Sequence, residues 1–214
     1  MNLVFVRHGV TQENTEGRLL GHADPPLSEE GRAQSQRLRE RFLKEEYQPT
    51  HIYTSPLRRA AETANIVASS WLVPIVFWDD LMELGIGIFT GLTWDEIATK
   101  YPELTAGPQE FIDLDNVEGA ESLASVRARS RRVIDTVIWR HANEDAVLIF
   151  AHGGILEYVL AWLLGTDRFW GVEVSNTGVF EFTLDQSRWS IEGDDRLNNL
   201  LWRIAQFNDV SHLT

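Results

Sequence analysis

Two short apolar runs, each followed by a histidine and a glycine, constrain this chain more than any other feature. Leu3-Val4-Phe5-Val6 leads into Arg7-His8-Gly9, and Ala146-Val147-Leu148-Ile149-Phe150 leads into Ala151-His152-Gly153-Gly154. A run of that length bounded by polar residues reads as a buried strand. In open α/β sheets, ligands gather just past the C-terminal ends of the strands. The repeated pattern therefore predicts one sheet whose rim carries both histidines. His51-Ile52-Tyr53-Thr54, ahead of Ser55-Pro56-Leu57-Arg58-Arg59, reads as a further strand, as does Ile75-Val76-Phe77-Trp78, ahead of Leu81-Met82-Glu83. If these strands run parallel, Arg7, His8, Arg58, Glu83 and His152 emerge on one edge.

Helical patterns separate the strands. Ser28-Glu29-Glu30 opens one that is expected to run to about Glu46, with Leu38 and Phe42 four apart on its inner face. A second is expected from Pro56 to about Trp71, with Ser55 as its cap. Thr93-Trp94-Asp95-Glu96 is a capping box ahead of a short helix that Pro102 ends. Leu123, Val126, Val133, Ile134, Val137 and Ile138 mark an amphipathic helix from about Ser122 to His141. Ile155 to Leu164 is more apolar throughout, and Gly165 is a suitable stop. Val179 to Leu184 alternates as a half-solvated strand, and Leu200 to Phe207 reads as another. The polar stretch from Gly9 to Pro26 is long enough to be functional. The whole predicts an α/β fold, mostly parallel, with antiparallel additions near the C-terminus.

At 214 residues, one domain with one core is expected over positions 1–214. The formal net charge of −13 argues against nucleic acid and anionic membranes, which call for a basic face. An anionic substrate must then be held by a local cationic pocket inside an acidic shell. There is no cysteine, which removes disulfides and thiolate metal sites and fits a cytoplasmic location. The chain opens directly on its first strand without a leader pattern, and no stretch approaches the ~20 apolar residues of a membrane span. His22, His51, His141 and His212 lack metal-ligand spacing, so neither metal nor cofactor is expected.

The motifs in series resemble the histidine phosphatase superfamily, the phosphoglycerate mutase-like family. Arg7-His8-Gly9-Val10-Thr11 with Asn14 is similar to its signature, and Gly17-Arg18, Gly21, Asp24, Pro26-Leu27-Ser28 and Gly31 to the block that follows. Ser55-Pro56-Leu57-Arg58-Arg59-Ala60 with Thr63-Ala64 resembles its second arginine motif, and Glu83 with Gly87 and Gly91 its acid block. Gly119-Ala120-Glu121-Ser122 and Ala151-His152-Gly153-Gly154 complete the set. The resemblance implies a three-layer sandwich around a mostly parallel sheet, with residues of about 93–120 as a cap.

It also implies a phosphohistidine on His8, with Arg7, Asn14, Gly21, Arg58, Glu83, His152 and Gly153 around the substrate. A neutral imidazole attacks phosphorus, and nearby guanidinium groups keep it neutral. Arg7, Arg58 and His152 are expected on the phosphoryl oxygens, whereas Arg59 is expected to face solvent. Glu83 is the expected proton carrier, with Glu13 and Asp24 as substitutes. Glu121-Ser122 reads equally as a helix cap or a substrate contact. Trp94, Trp170 and Trp189 are candidates for the mouth of the site.

Val10 stands where many members carry Glu or Gln, and the chain is short for the glycolytic mutases. The end, Asn208 to Leu213, is similar to the tails of bacterial broad-specificity phosphatases. The expected activity is therefore hydrolysis of phosphomonoesters of small metabolites. A cofactor-dependent phosphoglycerate mutase and a non-catalytic phospho-ligand binder are the alternatives. The oligomeric state is open, with a homodimer among the options.

Overall fold

The computed structural model describes residues 1–105, 113–166, 171–186, 189 and 202–214. A six-stranded sheet carries the fold: β1 (Asn2–Arg7), β2 (His51–Thr54), β3 (Ile75–Phe77), β4 (Ala146–Ala151), β5 (Val179–Leu184) and β6 (Trp202–Asp209). Their spatial order is β3-β2-β4-β1-β5-β6. The first four in that order are parallel, and β5 and β6 are added antiparallel beyond β1. The expected mostly parallel sheet with antiparallel additions is what forms. The last strand begins at Trp202; Leu200 and Leu201 of its expected start lie outside the described residues.

The period-two alternation of a strand sorts its side chains onto two faces. Leu3, Phe5, Val147 and Ile149 pack on one side with α5 (Leu123–Arg140) and α6 (Gly153–Leu164). Val4, Val6, Leu148 and Phe150 pack on the other with α2 (Glu29–Lys44) and α3 (Arg58–Ala68). Both sides of the central strands are thus covered, which explains their unbroken apolar runs. Two shorter helices, α1 (Gln12–Thr15) and α4 (Trp94–Lys100), lie in the connections.

Capping chemistry sets the helix starts. Ser28 accepts the amide of Gly31 at 3.0 Å and opens α2. Thr93 and Glu96 form the expected capping box of α4. Ser122 caps α5 by accepting the amide of Ser125, which decides its role as a cap. Helix α3 departs from expectation. It starts at Arg58 rather than Pro56, and Leu57 rather than Ser55 is its cap residue. The Ser55 hydroxyl accepts Leu57 N–H but also bonds the ring of His152.

Of the expected cap segment, residues 106–112 lie outside the described ones. The remainder holds α4 and 3₁₀ turns at Pro102–Leu104 and Leu114–Asn116. Among the described residues no helix is long and apolar enough to cross a membrane.

Candidate active site

Strands β1 and β4 lie side by side in register, Arg7 opposite Ala151, so the residues that follow them meet. The His8 and His152 rings stand 5.0 Å apart between centroids, and both are buried. The His8 loop is pressed against the start of α2. A Cβ on Gly31 would lie 2.1 Å from the Val10 carbonyl oxygen, and one on Gly9 would lie 2.5 Å from the Gly31 carbonyl oxygen. Only glycine permits that approach at both positions.

Hydrogen bonds fix the His8 tautomer. Its Nδ1 lies 2.7 Å from the Gly9 carbonyl oxygen, which can only accept, so Nδ1 carries the proton. Arg59 Nε donates to His8 Nε2 at 3.2 Å, so the Nε2 lone pair is exposed to a cationic group. Burial, followed by the charges of Arg7 and Arg59, holds this imidazole well below its ordinary pKa and keeps it neutral. Gly9 N–H is held by the Thr63 hydroxyl at 3.0 Å, and Asn176 Nδ2 donates to the His8 carbonyl at 2.9 Å.

The two adjacent arginines are placed oppositely to the expectation from sequence. Arg59 is 1% exposed and reaches His8, while its Nη1 donates to Ala23 O at 2.6 Å and its Nη2 to Gly21 O at 3.0 Å. Arg58 is exposed and pairs with Glu62 at 2.7 Å, one turn along α3. Helix phase is the cause. Arg59 shares a buried stripe with Thr63 and Val67, whereas Arg58 shares the solvated one with Glu62. Gly21 likewise holds Arg59 through its carbonyl rather than lining the pocket. Its positive φ of 49° puts it in the left-handed region.

The pocket beside His8 has a volume of about 260 Å³. Arg7, Arg59, Asn14, Glu83 and Gly153 line it. Arg7 is anchored by donation from Nη1 to Val174 O at 2.6 Å, and its buried Nε has no hydrogen-bond partner among the described residues. The Asn14 oxygen accepts Thr11 N–H in the cap of α1, which leaves its NH₂ donors for a ligand. His152 Nε2 bonds the Ser55 hydroxyl at 2.7 Å, and its buried Nδ1 has no partner among the described residues. Burial, then Arg59, keeps the His152 ring neutral as well.

Glu83 sits at the N-terminus of α6. Its carboxyl oxygens accept amides from Gly154 at 3.2 Å, Ile155 at 3.0 Å and its own neighbour Leu84 at 3.0 Å. The loop that presents it is pinned by Arg129, a buried arginine on α5. Arg129 donates to the carbonyls of Asp80 (3.0 Å), Met82 (2.6 Å) and Glu83 (3.2 Å). Glu121 in turn holds the Arg129 guanidinium at 2.7 and 2.8 Å, so Glu121 is committed to this support.

Ser55, Arg129, Asn176 and Glu157 were not foreseen as parts of this arrangement. Glu157 lines the pocket, and burial followed by the charge of Glu83 pushes its carboxyl up to about 7. Its signal in the sequence was its isolation within an otherwise apolar helix. Of the tryptophans expected at the mouth, Trp94 and Trp189 do not line this pocket. Trp170 lies outside the described residues.

A neutral histidine backed by a guanidinium and a carboxyl group at one phosphate-sized recess, with a second buried histidine beside the first, define a class: enzymes that move phosphoryl groups through histidine. Comparison with known proteins agrees. The model of the histidine phosphatase superfamily (branch 1) matches residues 3–195, and the chain belongs to that family. It is 35% identical over 214 residues to phosphoglycerate mutase-like protein 4 of Arabidopsis thaliana, covering 99% of this chain and 86% of that one. It is 32% identical to the metal-independent phosphoserine phosphatase of the same plant, covering 99% and 83%. The structure of Bacillus stearothermophilus YhfR superposes with a TM-score of 0.83 at 30% identity, covering 100% of this chain and 99% of that one.

Proposed function

We propose that this chain is a phosphatase that hydrolyses phosphomonoesters of small metabolites, working in the cytoplasm as a single domain. The observation that carries this reading is the fixed tautomer of His8, with Nδ1–H on Gly9 O and the Nε2 lone pair facing the pocket cations. With substrate bound, the Arg59 N–H passes from Nε2 to a phosphoryl oxygen, the freed Nε2 lone pair attacks phosphorus as the bond to the leaving oxygen breaks, and Glu83 gives that oxygen its proton. Glu83, now a carboxylate, takes a proton from water. The water oxygen attacks phosphorus, and the P–N bond breaks with its electron pair returning to His8. Arg7 and Arg59 neutralise the phosphoryl oxygens while His152 and Asn14 help to orient them, and most of the catalysis of phosphoryl transfer resides in such positioning. Gly153, whose added Cβ would lie 3.5 Å from the Arg7 guanidinium, leaves that cation open to substrate.

The glutamate held by the α6 amides is placed for hydrolysis and for mutase chemistry alike, so the test compares the two reactions. Release of inorganic phosphate from a panel of phosphorylated metabolites, absent in His8→Ala, is the expected result. Interconversion of 3- and 2-phosphoglycerate without net phosphate release would overturn the phosphatase reading. Ligand binding by His8→Ala and the parent protein alike, with no turnover by either, would make it a binding module.

A further inference from the structure

At the opposite edge of the sheet from His8, the fold brings a distant histidine to a histidine and an aspartate that lie four residues apart. His51 opens β2, His141 ends α5, and Asp145 immediately precedes β4. Because β2 and β4 are paired, with His51 opposite Val147, these groups meet. One donor atom from each lies within 4.8 Å of the other two. The closest pairs are Asp145 Oδ2 to His141 Nδ1 at 3.6 Å and Asp145 Oδ1 to His51 Nδ1 at 3.8 Å. Strand β2 separates the cluster from Ser55 and the catalytic edge by about 13 Å, at roughly 3.3 Å of rise per residue.

His141 and Asp145 are near neighbours along the chain, and the pairing of β2 with β4 brings His51 to them. We propose that His51, His141 and Asp145 form a binding site for a divalent transition metal of the zinc type, separate from the catalytic pocket. The independent observation is His141. This residue is 5% exposed, and its Nδ1 has no hydrogen-bond partner among the described residues. At 3.6 Å the carboxylate is beyond hydrogen-bond length, yet an orphaned buried nitrogen calls for a partner. The other ring nitrogen of His141 is held by the Tyr53 hydroxyl at 3.1 Å, the kind of outer contact that orients a ligating imidazole.

Two imidazoles and a carboxylate suit zinc, cobalt or nickel better than magnesium or calcium. Bonds of about 2.0–2.1 Å in a tetrahedral arrangement place ligands about 3.4 Å apart, so donor atoms that now lie within 4.8 Å of one another close on the ion by up to about 1.4 Å. His51 is 44% exposed at its side chain and gives an ion a path in, with the fourth position left to water.

The test uses untagged full-length protein, stripped with chelator and desalted. Cobalt titration should give visible d–d absorption that saturates at one equivalent, and zinc should raise the melting temperature by a few degrees. His51→Ala, a change at an exposed ring, should abolish both effects, as should Asp145→Asn, while His8→Ala retains them. Absence of saturable binding at sub-millimolar metal would overturn the proposal. So would binding that survives in His51→Ala and Asp145→Asn and is lost in His8→Ala, since the metal would then sit at the catalytic histidines.

Discussion

Arg58 and Arg59 are adjacent in sequence, yet they should respond to substitution in opposite ways. Arg59 is almost fully buried and donates to His8 Nε2, Gly21 O and Ala23 O. Arg59→Ala strands these acceptors in the interior, at about 1–3 kcal/mol for each buried group left unpaired, so part of its effect is loss of stability. Arg59→Lys is the sharper probe. It keeps a positive charge but loses the planar fork that serves His8 and two carbonyls at once. Losing one preorganised donor to a phosphoryl transition state costs about 2.7–4 kcal/mol, so kcat/KM should fall about 10²- to 10³-fold. Arg58→Ala removes only an exposed pair with Glu62, about 0.3–0.5 kcal/mol for neighbours one helical turn apart. Its main-chain N–H to Asp24 remains. Activity of Arg58→Ala should stay within about twofold of the parent, by the small worth of such pairs. Steady-state kinetics on p-nitrophenyl phosphate, with thermal melts of all three proteins, settle the matter. A hundredfold loss in Arg58→Ala with full activity in Arg59→Lys would refute the assignment.

Glu83→Gln should slow esters of poor leaving groups far more than p-nitrophenyl phosphate, whose phenolate needs little protonation, and equal losses would reassign the proton carrier. Arg129→Met should reproduce that leaving-group dependence in weaker form by releasing the loop that presents Glu83, without altering phosphohistidine labelling on His8 by mass spectrometry. Glu157 holds its proton to about pH 7 in the folded chain, so its contribution weakens stability as pH rises from the ordinary carboxylate range through 7. Glu157→Gln should therefore match the parent at pH 4 and exceed it at pH 8 by about 1–2 kcal/mol after allowance for partial solvent access, measured by denaturant unfolding. The folded forms of His8 and His152 resist protonation, so each should cost stability as pH falls below 6.5, while His8 stays neutral below that ordinary value. An acid limb of kcat/KM centred near 6.5 would contradict the neutral ring.

The sheet was legible because each central strand is an apolar run with a punctuated end, and the caps at Ser28, Thr93 and Ser122 marked helix starts through local chemistry alone. That His8, Glu83 and His152 come together at one end of the sheet was legible because they follow strands. Arg59 was misread although the information was present. Counting from Thr63 and Val67 places Arg59 on the buried stripe of α3, and counting from Glu62 places Arg58 outside. Arg129, Asn176 and Ser55 act through partners distant in the chain, with no local pattern to mark them. The same holds for His51, which meets His141 and Asp145 only because β2 and β4 become neighbours.

That dependence has a consequence in time. The chain produces β1, β2 and β3 first, but β1 and β2 are not adjacent in the sheet; β4 lies between them. The site therefore cannot exist until residue 152 has been made and its strand has slotted between β1 and β2. Such long-range closure is the slow part of folding a chain of this topology. A nascent chain still lacking β4 is inert toward substrate whatever helices it has formed. In refolding, the return of turnover dates the insertion of the central strand.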